Sequence, residues 1–197
     1  MKLPLTPVEV TVPPLPYFVV EGQGDPNGPD FQQAVEALYA LAYGVRMAPK
    51  NKLELAGWVE FKVFPLEGVW DLIVPESGPV RLDNLKYRAM IRQPDFLDEA
   101  AAAQVLAAVR AKKKLPRLAG ATFERLADGR CVEMLHLGPF ANEPSTFLKM
   151  RDFCRKESLA RVGKTHREIY LSDPRKTEPD KLKTLLRFPV RDDYSCI

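Results

Sequence analysis

The sequence predicts a mixed α/β (α+β) fold of tandem strand–helix–strand–strand modules with antiparallel sheets. Two observations carry this. Segments such as "YFVVEG" and "THREIYLSD" are short and rich in strand formers, whereas "FQQAVEALYALAYGV" and "NEPSTFLKMRDFCRK" carry longer helical patterns. The order strand, helix, strand, strand then occurs twice, over about 15–93 and about 130–191, with a helix and a strand at about 96–127 between them. Sequence identity between the halves is slight, so the repeat rests on element order. Residues 1–197 are read as one domain. Its two modules are expected to show pseudo-twofold symmetry, with a central ligand groove at their junction.

The lead-in, with Pro13, Pro14 and Pro16, reads as an extended arm ending where "YFVVEG" starts a strand. "DPNGPD" is a turn, and Asp30 is expected to N-cap the next helix. Along that helix Phe31, Val35, Leu38, Ala42 and Val45 recur at helical spacing, with Tyr39 and Tyr43 on a neighbouring stripe. "WVEFKVFPLEG" sets Trp58, Glu60 and Lys62 against Val59, Phe61 and Val63, the alternation of a half-buried strand. "KYRAMIRQP" is another strand, stopped by Pro94. "DFLDEAAAAQVLAAVRAKKK" is a strong helix whose end suits Lys112, Lys113 and Lys114. "ATFERLADGRCVEMLHLG" predicts a hairpin turning at Asp128-Gly129. A helix follows, with Asn142 as cap and Pro144 in its first turn. "THREIYLSD" and "TLLRFPV" supply the last strands.

At 197 residues, 46% hydrophobic and 28% charged, the chain is that of a soluble globular protein. A net charge of +3 demands no polyanionic partner. Cys131, Cys154 and Cys196 are odd in number and none form a CxxC, which suggests neither a disulfide framework nor a zinc site. Cys131 is expected in the core and Cys196 exposed. The start is interrupted by prolines and lacks the apolar stretch of a signal peptide, and no run approaches the ~20 apolar residues of a membrane span. A cytoplasmic protein is expected, with no membrane partner. The basic cluster Lys112–Lys114 with Arg117 reads as a helix C-terminus, and no helix-turn-helix precedes the domain, so no direct nucleic-acid binding is expected. Neither phosphate-binding nor serine-hydrolase motifs occur, and no cofactor is expected.

The stretch with chemical promise is "HREIYLSDPR", His166 to Arg175. Alternation puts His166, Glu168 and Tyr170 on one strand face and Ile169 and Leu171 on the other. Glu168 is then either a solvated strand residue, paired with Arg167 or a lysine, or a base and cation-binding group with Tyr170 beside it. Trp70, Trp58, Tyr39 and Tyr43 are aromatic candidates for stacking on a flat or cationic ligand. Core packing is the plainer reading for Trp58 and Tyr39, and Trp70, beside the "PLEG" turn, is the better groove candidate. Glu67 in that turn is a second carboxylate, ordinarily solvated. His136 shares a face with Val132 and Met134, where a hydrogen-bonded core histidine is the plainer reading. With only His136 and His166 available, no metal site is expected.

Five stretches together resemble the GyrI-like small-molecule-binding family: "GDPNGPDFQQAVEALYALAY", "FPLEGVW", "MIRQPDF", "CVEMLHLGPFANEPSTFLKM" and "HREIYLSDPRKTEPDKLKTLLRFPV". The resemblance implies tandem modules and an aromatic-lined groove with a glutamate at its floor, matched here to Glu168. In regulators of that family the glutamate meets cationic aromatic drugs. In stand-alone members it takes part in hydrolytic opening of cyclopropane-bearing genotoxic natural products. The resemblance thus implies binding of flat aromatic, cationic or electrophilic small molecules, with Glu168 as base toward strained rings. The alternatives are a non-catalytic drug-sequestering or effector-binding module, and a gyrase-interacting protein. Three positions depart from the family pattern. His166-Arg167-Glu168 stands where His-His-Glu is frequent, Trp70 precedes Asp71 and not a second tryptophan, and Phe140 replaces a frequent tyrosine.

Overall fold

The computed structural model describes residues 3–74 and 81–193; Cys196 lies outside them. The chain divides into two compact units, Leu15–Leu126, and Met1–Pro14 with Ala127–Ile197. β1 (Val8–Val12) belongs to the second unit. Its strand "VEVTV" lies within the lead-in that the prolines marked as an extended arm.

The first unit contains β2 (Leu15–Gln23), α1 (Pro29–Arg46), β3 (Leu66–Leu72), β4 (Leu85–Arg92), α2 (Glu99–Lys112) and β5 (Thr122–Leu126). Its antiparallel sheet runs β3-β4-β2-β5. Pro29 starts α1 with Gly28 at the cap position, so Asp30 falls inside the first turn and is no cap. Its Oδ2 instead accepts a hydrogen bond from Tyr87 at 2.6 Å. The buried face of α1 carries alanines among Leu38, Leu41 and Val45. At Gly44 a Cβ would lie 2.8 Å from Val109 of α2, so only glycine permits this approach of the two helices. Asp98 caps α2, accepting from the Ala101 N–H at 2.8 Å.

Residues 58–65 form no strand. The segment is pinned instead by Trp58, whose indole N–H donates to the Val45 carbonyl at 3.0 Å, and by Phe61, Val63 and Phe64 packing on the core. Alternating side chains met a groove in the packing rather than a partner strand. The β3 strand starts after Pro65, and Glu67 is therefore a strand residue, buried and not solvated in a turn.

The second unit adds β6 (Gly129–Leu137), α3 (Glu143–Lys156), β7 (Leu159–Arg161), β8 (His166–Tyr170) and β9 (Lys183–Asp192). Its antiparallel sheet runs β1-β6-β9-β8, and β7 pairs with the end of β9. In each unit the third strand of the module lies between the first and second, as β4 lies between β2 and β3 and β9 between β6 and β8. The expected tandem modules therefore share one connectivity.

The expected hairpin at Asp128-Gly129 does not form. Gly129 does take φ +66°, as a turn there requires, but β5 pairs with β2 and β6 with β1 and β9. Each strand finds a partner distant in sequence, which a local turn signal cannot report.

Register across the second sheet sorts its faces. Glu133 of β6, Arg187 of β9 and Arg167 of β8 form one cross-strand row, while Met134, Leu186 and Glu168 form the next, on the opposite face. Met134 and Leu186 pack with Met150 and Cys154 of α3, so Glu168 lies on the helix-covered face. On the other face Asp128 accepts from Arg167 at 2.8 and 2.5 Å and from Arg187 at 3.0 Å, and Arg187 also donates to Glu133 at 2.8 Å. Burial raises the Asp128 carboxyl, yet the bonds and charge of Arg167, then Arg187, outweigh it and hold its pKa below the ordinary value.

Asp128→Asn should leave two buried guanidiniums short of charge, costing about 3 kcal/mol in urea unfolding. Because the folded carboxyl titrates low, the parent's share of this stability is present at neutral pH. It is lost as pH falls below the ordinary value of 3.8, so the two proteins should converge in strong acid.

Candidate functional site

The buried stripe of α3 is Glu143, Thr146, Met150 and Cys154, spaced for one helix face. Its first position is a carboxylic acid where an apolar residue would normally sit. Asn142 occupies the expected cap position, though its side chain makes no cap bond, and Ser145 donates its hydroxyl to the Asn142 carbonyl at 2.8 Å. Phe147, four residues after Glu143, packs edge-on against the His166 ring with centroids 4.9 Å apart. Phe140 meets Tyr170 in the same way at 5.9 Å.

Between His166 and Tyr170 on β8 stands Glu168, its side chain 13% exposed. His166 Nε2 lies 2.8 Å from Oε1, and the Tyr170 hydroxyl donates to Oε2 at 2.9 Å. Both oxygens are thus held from one strand face, two residues to either side. Arg167 points away to Asp128 and is no partner of Glu168.

Glu143 completes the cluster, and the sequence reading missed it. It is 7% exposed, and its Oε1 makes no hydrogen bond. Burial, with the charge of Glu168 adding to it, pushes its pKa up to about 9. Its place in the first turn of α3 favours the ionised form, but that effect is smaller. At neutral pH Glu143 therefore carries a proton.

A ring nitrogen of His166 and one oxygen each from Glu143 and Glu168 lie within 4.8 Å of one another. Contrary to the expectation of no metal site, this trio has the ligand types and spacing to hold a small cation. In the structure the contacts of Glu168 within this group are the bonds to His166 and Tyr170.

The remaining candidates have their own surroundings. His136 is buried, its Nε2 donating to the Pro139 carbonyl at 3.1 Å and its Nδ1 accepting from the Thr146 hydroxyl at 2.8 Å, which is the hydrogen-bonded core role. It lines a cavity of about 510 Å³ with Met134, Thr146 and Lys149, but neither Glu143 nor β8 contributes to that wall. Trp70 is 8% exposed and packs with Phe31 and Tyr87 in the first unit's core. Trp58 is partly buried against that core, and Tyr39 stands beside Tyr43, a residue 52% exposed.

With this geometry in view, comparison with known proteins is informative. The profile of the GyrI-like small molecule binding domain matches residues 5–191. The chain belongs to the GyrI-like family. Among solved structures it is similar to a hydrolase from Listeria innocua, at 36% identity over 96% of this chain and 94% of that one, with a TM-score of 0.87. A further solved structure of a Listeria innocua hydrolase gives 35% identity over 96% and 93%, with a TM-score of 0.88. The C-terminal domain of EcmrR shares the fold at 13% identity, covering 95% and 98%, with a TM-score of 0.54. None of the curated proteins matches. No helix among the described residues is long and apolar enough to cross a membrane.

The Glu143 proton has a consequence for stability. The unfolded side chain loses its proton near 4.5, whereas the folded one keeps it to about 9. Stability should therefore fall as pH rises between these values, since the folded state binds more protons. Glu143→Gln should flatten that slope, as read by thermal unfolding across the range.

Proposed function

We propose that this GyrI-like domain binds flat aromatic small molecules bearing a cationic or electrophilic centre, and hydrolyses those with a strained ring, Glu168 acting as base. One observation carries the reading: a largely buried glutamate held by Tyr170 and His166, whose own rings pack edge-on against Phe140 and Phe147. The rings offer faces and edges for a flat ligand, and the carboxylate attracts a cation or takes a proton from attacking water. Tyr170 keeps the carboxylate oriented. Similarity to solved structures described as those of a Listeria innocua hydrolase supports the catalytic half. The exposed Tyr43 is a secondary stacking surface on this reading. The buried free thiols Cys131 and Cys154 suit a cytoplasmic setting.

A second reading is binding without turnover, as in drug sequestration. It is favoured by the bonds that hold both Glu168 oxygens, since a carboxylate already accepting from two groups is a weaker base toward water than a bare one.

Glu168→Gln separates charge from shape. The variant should fold normally and bind a neutral flat aromatic as the parent does. It should bind a matched cationic one about tenfold more weakly, a loss of about 1–2 kcal/mol. Turnover of a strained-ring compound should drop about a hundredfold or more. Parent-like turnover in the variant dismisses Glu168 as base; saturable binding by a parent that yields no product selects sequestration.

A further inference from the structure

We infer that Glu143 is the proton donor of this site, the acid partner to Glu168. The inference rests on the hydrolytic reading above. Two carboxyls whose surroundings differ this much take opposite roles in acid–base chemistry. Glu168 has two donors on its oxygens, which favours the anion. Glu143 has an unpartnered, buried Oε1 and no basic neighbour bonded to it, which favours the neutral acid. Around α3, β8 presents His166, Glu168 and Tyr170, β6 presents His136, and β7 presents Arg161. His136 is engaged by Thr146 and Pro139, and Arg161 lies over the Phe188 ring, so Glu168 is the charge that acts on Glu143.

Opening a cyclopropane conjugated to a carbonyl needs both roles. Water oxygen bonds to a ring carbon, and the strained C–C bond breaks. Its electron pair moves into the conjugated system, and the carbonyl oxygen takes the Glu143 proton. Glu168 takes the proton that water loses. Return of that proton to Glu143, whose oxygen lies within 4.8 Å, resets the site through one intervening water, with one water consumed overall.

The test uses the full chain and a spirocyclopropyl cyclohexadienone, whose opening by water gives a hydroxyethyl phenol. For the parent, kcat/KM should fall near pH 9 as Glu143 loses its proton. Glu143→Gln should slow turnover about a hundredfold and lose the falling limb, while Glu143→Asp should retain part of both. Carboxyl carbon NMR should show Glu143 protonated at neutral pH in the substrate-free parent. Glu143 found ionised there overturns the inference whether or not the probe turns over. A Glu143→Gln protein with parent rate and unchanged falling limb overturns it while leaving Glu168 as base. Absence of turnover in the parent removes the hydrolytic reading and the donor role with it. Activity abolished by EDTA and restored by a divalent ion reassigns the trio to metal binding.

Discussion

The site depends on the ion pairs that Arg167 makes with Asp128. β8 has only five residues, and of its side chains only Ile169 is apolar and buried. A strand so short has little hydrophobic pattern to fix its register, and a slip of one residue would turn every side chain to the other face. The guanidinium of Arg167, 7% exposed and bonded twice to Asp128, supplies what the pattern lacks. Holding Arg167 on one face puts His166, Glu168 and Tyr170 on the other. Desolvating these charges is costly, and the network meets that cost by closing on itself through Arg187 and Glu133.

Much of this was legible in the sequence, and the failures share a cause. Helices and most strands follow local periodicity, so α1, α2 and α3 emerged near their true bounds. Strand pairing is not local. The Asp-Gly turn before β6 has the chemistry of a hairpin, but β5 and β6 have better partners elsewhere in the chain. Likewise Trp58 to Phe64 alternates like a strand, although its rings are spent on covering a core. Glu168 with its two neighbours could be found because alternation and family resemblance both point to it. Glu143 could not, since an acidic residue in the first turn of a helix is ordinary. The spacing Glu143, Thr146, Met150, Cys154 was the available signal, because it places a carboxyl where the buried stripe begins.

Departures from the family pattern gain meaning from their faces. Arg167, where a histidine is frequent, points into the ion network and away from Glu168, so the change leaves the carboxylate's donors in place. Phe140, where a tyrosine is frequent, does stand at the cluster, packed edge-on to Tyr170. Without a hydroxyl of its own it can shape a ligand's approach but cannot hold a water or donate to the carboxylate. Tyr170 is then the hydroxyl bonded to Glu168.

The two carboxyls also show why residue type alone does not assign a role. Glu168 and Glu143 are chemically identical, both partly or wholly withdrawn from water. Tyr170 and His166 bond to one and leave Oε1 of the other bare. Burial first, and the charge of Glu168 second, keep the proton on Glu143. The asymmetry is set by which face of β8 and which turn of α3 each side chain occupies, and it can be read only once sheet register and helix phase are both in place.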